Sequence, residues 1–175
     1  AVPGGFKPPI VKRESRSMAA FHSYDWYFDW MGRFLADVEK VFLTPCAATK
    51  PIHTSPFHRR IYQKFAAAQE KDREILVVSE PVVLIRYEDL YKFERLFCYD
   101  FPPKMLNRKS RALFVERLGL LLSGKDIAGC LPKHHAALIN DAVGKNWENH
   151  WQGDIYFMMR KANLLAPNNS RRAAY

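Results

Sequence analysis

The sequence predicts an α/β protein: a three-layer sandwich built on a mostly parallel, four-stranded sheet. Three observations predict it. Short, continuous apolar runs recur at wide intervals, the clearest being Ile75-Leu76-Val77-Val78, which suits a strand buried on both faces. Between them lie stretches with apolar residues three and four positions apart, the period of a helix face. Strands alternating with helices indicate parallel pairing between helical layers.

Taken in order, residues 1–22 are rich in Pro, Gly and basic side chains (Lys7, Lys12, Arg13, Arg16) and read as an irregular arm. A single domain is expected over 23–165, followed by a basic tail over 166–175. Tyr24 to Glu39 reads as a helix, with Tyr27, Trp30, Met31, Phe34, Leu35 and Val38 on one face. Such an aromatic stripe can stack bases, but its regular spacing points to packing on the sheet. Lys40 to Thr44 is the first strand. A helix is expected from Ser55 to about Lys71, with Phe57, Ile61, Phe65 and Ala68 on one face.

Arg73 to Ser79 is the second strand, after which Glu80-Pro81 opens a loop. Tyr87 to Arg95 reads as a short helix and Leu96 to Tyr99 as a third strand, stopped by Asp100-Phe101-Pro102-Pro103. A basic lead, Asn107 to Arg111, enters a helix over Ala112 to Ser123, which Gly124 ends. Asp126 to Leu131 is the fourth strand. The helix after it runs to about Val143 and stops at Gly144; a last helix is expected over Asp154 to Leu165.

At 175 residues, 48% of them apolar, the chain is long enough to bury a real core. No apolar run approaches the roughly 20 residues needed to span a bilayer, so no membrane partner is expected. The opening Ala1-Val2-Pro3-Gly4-Gly5 lacks the layout of a signal peptide, and a non-exported, cytoplasmic protein is expected. Cys46, Cys98 and Cys130 are too few and too scattered for a disulfide framework. With 27 basic and 18 acidic residues the net charge is +9, which favours an anionic partner, nucleic acid first.

The chemistry concentrates after the first strand, in Pro45-Cys46-Ala47-Ala48-Thr49-Lys50-Pro51-Ile52-His53-Thr54-Ser55-Pro56-Phe57-His58. Parallel topology puts this turn at the carboxyl edge of the sheet, where ligands bind. The loops after the second and fourth strands open on the same edge. Together the three gather Cys46, Lys50, His53, Ser55, His58, Ser79, Glu88, Lys133, His134 and His135. Cys46 is the candidate nucleophile, since thiolate forms beside cations and helix amino termini; the alternative is a small apolar residue after a strand. His58 alone would cap a helix, and Glu88 alone would be a surface charge. One of His134 and His135 is a candidate phosphate contact, and Arg59, Arg60, Arg108, Lys109, Lys133 and His134 are candidate nucleic-acid contacts. No histidine–carboxylate pair has metal spacing, so neither a metal nor another cofactor is expected.

The same stretch resembles the signature of the archaeosine synthase core domain, which reads Pro-Cys, three residues, Lys-Pro-Tyr, two residues, Ser, two residues, His. Here Ile52 stands for the tyrosine. Downstream, Ile75 to Pro81 resembles the family's second strand and Ser-Pro loop, Ile85-Arg86-Tyr87-Glu88 its Val-Pro-x-Glu segment, and Tyr99-Asp100 its Tyr-Asp. After Pro81 comes Val82-Val83 where the family has Leu-Gly, and Arg86 replaces a proline. The resemblance spans roughly Val38 to Val143. It implies a fold similar to uracil-DNA glycosylases and an enzyme of the 7-deazaguanine pathway acting on a 7-cyano-7-deazaguanine-type base, in tRNA, in DNA or free, through a cysteine thioimidate.

On that reading Cys46 attacks the nitrile, His58 or His53 carries the proton, and Lys50 steadies developing charge or holds an anion. His53, Ser55, Ser79 and Glu88 then contact substrate. The family's flanking transglycosylase-like and RNA-binding domains are not within these residues, so recruitment of substrate is expected either by the basic arm and aromatic tail or through a protein partner supplying those domains. The alternative is a catalytically idle domain of the same fold that binds nucleic acid or protein. A base-excising glycosylase is suggested by fold analogy only.

Overall fold

A computed structural model describes residues 2–5, 18–46, 54–56, 58–59, 73–93, 97 and 106–151. Its elements are α1 (Met18–His22), α2 (Asp25–Leu35), β1 (Lys40–Pro45), β2 (Glu74–Ser79), β3 (Val83–Arg86), α3 (Tyr87–Lys92), α4 (Arg108–Leu122), β4 (Asp126–Gly129), α5 (Lys133–Val143) and β5 (Glu148–Asn149).

The strands form one sheet of five in the order β3-β2-β1-β4-β5. β1 lies at the centre, parallel to β2 on one side and to β4 on the other, and β5 runs parallel to β4. Only β3 is antiparallel, folding back on β2 with Val78 opposite Leu84. The fold is thus mixed α/β, mostly parallel, with five strands instead of the expected four. The two strands that sequence pattern missed have plain reasons. β3 is four residues long and reads as the start of a loop, because Glu80-Pro81 precedes it. β5 is only two residues, both exposed, and is held by tertiary contact: the Asn149 side chain donates to the Leu131 carbonyl and accepts from its amide, at 2.9 and 3.0 Å. Of the expected strand Leu96 to Tyr99, only Phe97 is described. It lies in a turn and is buried. The last helix and the basic tail lie outside the described residues.

β1 and β2 are buried along nearly their whole length, as central strands covered on both faces must be. Gly129 permits the close approach of β4: a Cβ there would sit 2.8 Å from the Leu43 carbonyl oxygen. The aromatic face of α2 packs as its spacing predicts. Tyr27, Met31 and Leu35 are buried, and Trp30, Phe34 and Val38 pack partly buried against the core. Residues 18–22, expected as the end of an irregular arm, form α1 and bury Ala20 and Phe21. The buried Arg117 ties α4 to that end, pairing with Asp25 and lying 4.7 Å over the Phe28 ring.

α4 starts four residues earlier than the periodicity suggests. Asn107 and Ser110 make reciprocal side-chain-to-backbone bonds across its first turn, which makes Asn107 the start signal. α5 ends at Gly144, whose φ of +84° suits a residue without a Cβ. Among the described residues no helix is long and apolar enough to cross a membrane.

Candidate functional site

Three adjacent strands end side by side, β2, β1 and β4, and each delivers one chemical group. Cys46 directly follows β1, and its amide donates to the Val78 carbonyl at 3.1 Å, which keeps it in the ladder. Glu80 directly follows β2 and is fully buried. His135 is the third residue of α5, set one short loop after β4, and it too is buried. Chain order reverses across β1, so this is also the switch point where parallel sheets open a crevice.

Cys46 Sγ lies 3.5 Å from His135 Nε2. With the Glu80 carboxylate, the ligating atoms of Cys46, Glu80 and His135 all lie within 4.8 Å of one another. Cys46 is half-buried, whereas Glu80 and His135 are buried. Burial lowers the His135 imidazole to about 4, with the neighbouring His134 adding to the effect, so the ring is neutral at physiological pH. A neutral ring has one nitrogen free to accept a proton or bind a cation. Cys130, in contrast, is sealed in the core, and burial pushes its thiol up to about 12. It is a packing residue.

The fate of each expected site residue is as follows. His58 is fully buried, and its Nδ1 is hydrogen-bonded to the Tyr87 hydroxyl, whose ring sits 5.5 Å away. Among the described residues the geometry pairs Cys46 with His135, which the sequence places on the same edge of the sheet but offers only as a phosphate contact. Ser55 and Ser79 are buried, and neither hydroxyl has a hydrogen-bond partner among the described residues. The Arg59 amide donates to the Ser55 carbonyl at 2.9 Å, the first bond of a helical turn, and Arg59 itself is exposed. Glu88 is half-exposed and pairs with Arg86 at 2.7 Å and Lys92 at 3.7 Å. Arg108, Lys109, Lys133 and His134 are exposed. Lys50, His53 and Arg60 lie outside the described residues.

Glu80 is the residue that sequence reasoning missed. The available signal was its place: it follows Ser79 directly at the carboxyl end of a buried strand. Spacing hides the cluster, since Cys46 and His135 are 89 positions apart in the chain.

A second polar feature lies elsewhere. Trp26, Tyr27, Trp30, Lys92, Phe93, Val2 and Asp89 line a cavity of about 120 Å³. Two of these residues are joined: the Tyr27 hydroxyl donates to the Asp89 carboxylate at 2.6 Å. Burial raises Asp89 above the usual carboxylate value and Tyr27 well above the usual phenol value. Cys46, Glu80 and His135 do not line this cavity.

No family model and no curated protein matches this sequence. Among solved structures the chain is similar in fold to AF0587, a protein of unknown function, at a TM-score of 0.52 and 14% identity. The likeness covers 86% of this chain but only 52% of that one, so the chain spans about half the length of its structural neighbour.

Proposed function

We propose that this protein is a nucleobase-modifying enzyme in which Cys46 attacks the nitrile carbon of a 7-cyano-7-deazaguanine-type base, in nucleic acid or free. The observation that carries the reading is the 3.5 Å approach of the Cys46 sulfur to His135 Nε2 at the carboxyl edge of the sheet. A thiol within reach of an imidazole acceptor is the minimal arrangement for nucleophilic catalysis. In the step proposed, the S–C bond forms as the nitrile π pair moves to nitrogen. The thiol proton passes through His135 to that nitrogen, and a thioimidate results. An amine then adds to the same carbon, and the sulfur leaves with a proton returned to it.

Two further features support this. The archaeosine synthase core has glycine at the position of Val83, and the backbone here turns through a φ of +91° at that residue, a region that favours glycine. The net charge of +9 suits a polyanionic carrier of the base, and Arg59, Arg108, Lys109 and Lys133 present exposed cations to it.

The test is intact-protein mass spectrometry with 7-cyano-7-deazaguanine, free and within tRNA, in the presence of a chelator. Because nothing leaves in the first step, the expected adduct has the mass of protein plus the whole base, maps to Cys46 and is lost in Cys46→Ala. An adduct surviving in that variant, or none with either form of the base, refutes the reading. Tight binding without an adduct would assign the chain to the idle binding domain.

A further inference from the structure

We propose that Cys46, Glu80 and His135 also form a binding site for one zinc-class divalent cation. The argument is metric. Zn²⁺ holds a thiolate at about 2.3 Å and an imidazole nitrogen at about 2.0–2.1 Å. At the tetrahedral angle those two bonds set sulfur and nitrogen about 3.6 Å apart. The measured separation is 3.5 Å. Two ligands therefore already stand at the spacing one ion would impose.

The third is close. A carboxylate oxygen and an imidazole nitrogen on one zinc ion lie about 3.4 Å apart, and the cluster's ligating atoms are all within 4.8 Å of one another. Binding therefore requires the Glu80 carboxylate to move by no more than about 1.4 Å. The backbone around the site is already fixed: the Cys46 amide bonds Val78 at 3.1 Å, and the Cys130 amide bonds Leu43 at 2.9 Å, locking the ends of β2, β1 and β4 together.

The donor set selects the ion. One sulfur, one imidazole and one carboxylate suit borderline cations such as Zn²⁺ or Co²⁺, whereas Mg²⁺ and Ca²⁺ require oxygen throughout. Three protein ligands leave a fourth position for water or an incoming donor, the layout of open zinc sites. Of the three residues Cys46 is the one that is not buried. On binding, the thiol loses its proton to solvent and a metal–sulfur bond replaces it. The ion then occupies both the sulfur lone pair and His135 Nε2, so metal uptake and attack on a nitrile exclude each other. Neither property rests on the other.

The experiment is a titration of chelator-stripped full-length protein with Co²⁺, followed by displacement with Zn²⁺. One equivalent should give the near-ultraviolet sulfur-to-cobalt charge-transfer band and the strong visible bands of a four-coordinate ion, and Zn²⁺ should abolish both. Cys46→Ser should lose the charge-transfer band. Glu80→Gln and His135→Gln should each weaken binding by at least about tenfold, the lower bound even for an outer-shell partner. Cys130→Ser should leave the titration unchanged. A wild-type titration without the charge-transfer band overturns the proposal, and needs no variant to fold. So does a band that persists in Cys46→Ser, or affinity unchanged in both other variants. The covalent reading is judged separately, by the adduct experiment run with chelator present.

Discussion

Replacing Tyr27 with phenylalanine deletes a single oxygen from the interior. That oxygen donates to Asp89 at 2.6 Å and accepts from the Arg86 amide at 3.2 Å, and Tyr27 and Asp89 are each 2% exposed. A hydrogen bond to a charged group is worth about 1.5–3 kcal/mol, and an orphaned buried amide costs about 1–3 kcal/mol. The two do not add in full. Asp89 borders a cavity of about 120 Å³, ample for a replacement water, which needs only about 10–15 Å³. The expected loss is therefore about 2 kcal/mol. For a chain of this size that lowers Tm by about 4–8 °C.

The same substitution has a pH signature. Burial raises the Asp89 carboxyl, and the Tyr27 bond partly offsets it. The native state thus binds the Asp89 proton more tightly than the unfolded chain does. Between the ordinary carboxylate value and the raised one, this group makes stability fall as pH rises. Tyr27→Phe removes an offsetting interaction, raises Asp89 further and extends that window upward. The deficit should be smallest below about pH 4, where the carboxyl is protonated in both states, and largest near neutrality. Urea denaturation of both proteins across this range measures it. A deficit under about 0.5 kcal/mol at neutral pH, the scale of inert surface changes, would refute the reasoning. So would a deficit that grows towards acid.

Two further outcomes concern the backbone near the site. Val83 is fully buried at a φ of +91° and Val77 is equally buried in β2. Glycine at either position loses similar apolar burial, but only at position 83 does it release strain worth about 1–3 kcal/mol. Val83→Gly should be the milder variant by about that margin in chemical denaturation, and equal losses would remove the strain. Gly129→Ala places a methyl 2.8 Å from the Leu43 carbonyl oxygen. Forcing β4 away from β1 should cost about 1–3 kcal/mol and, by separating His135 from Cys46, weaken Co²⁺ uptake. Stability and uptake both unchanged would show that the strand pair yields freely.

Local chemistry made much of the fold legible. The run Ile75 to Val78 suits an inner strand and is one, and the period of Tyr27, Met31 and Leu35 marks the buried face of α2. Gly144 announces the end of α5. What escaped was short or context-dependent. β3 and β5 carry too few residues for a period, and β5 exists because Asn149 clasps Leu131. The Cys46 turn was conspicuous by composition, yet His58, its one histidine among the described residues, is bonded to Tyr87.

The amino-acid order alone indicated that this chain builds a mostly parallel sheet, with inner strands at β1 and β2, and that Cys46 and His135 belong to one edge of it. Those properties follow from continuous apolar runs, from the 3.6-residue period of the helices and from the direction of parallel strands. Only the tertiary structure decided which imidazole and which carboxylate stand next to the sulfur. That choice depends on strand order across the sheet, which sets Glu80 and His135 on either side of β1. Strand order is a property of long-range packing, and no local pattern encodes it.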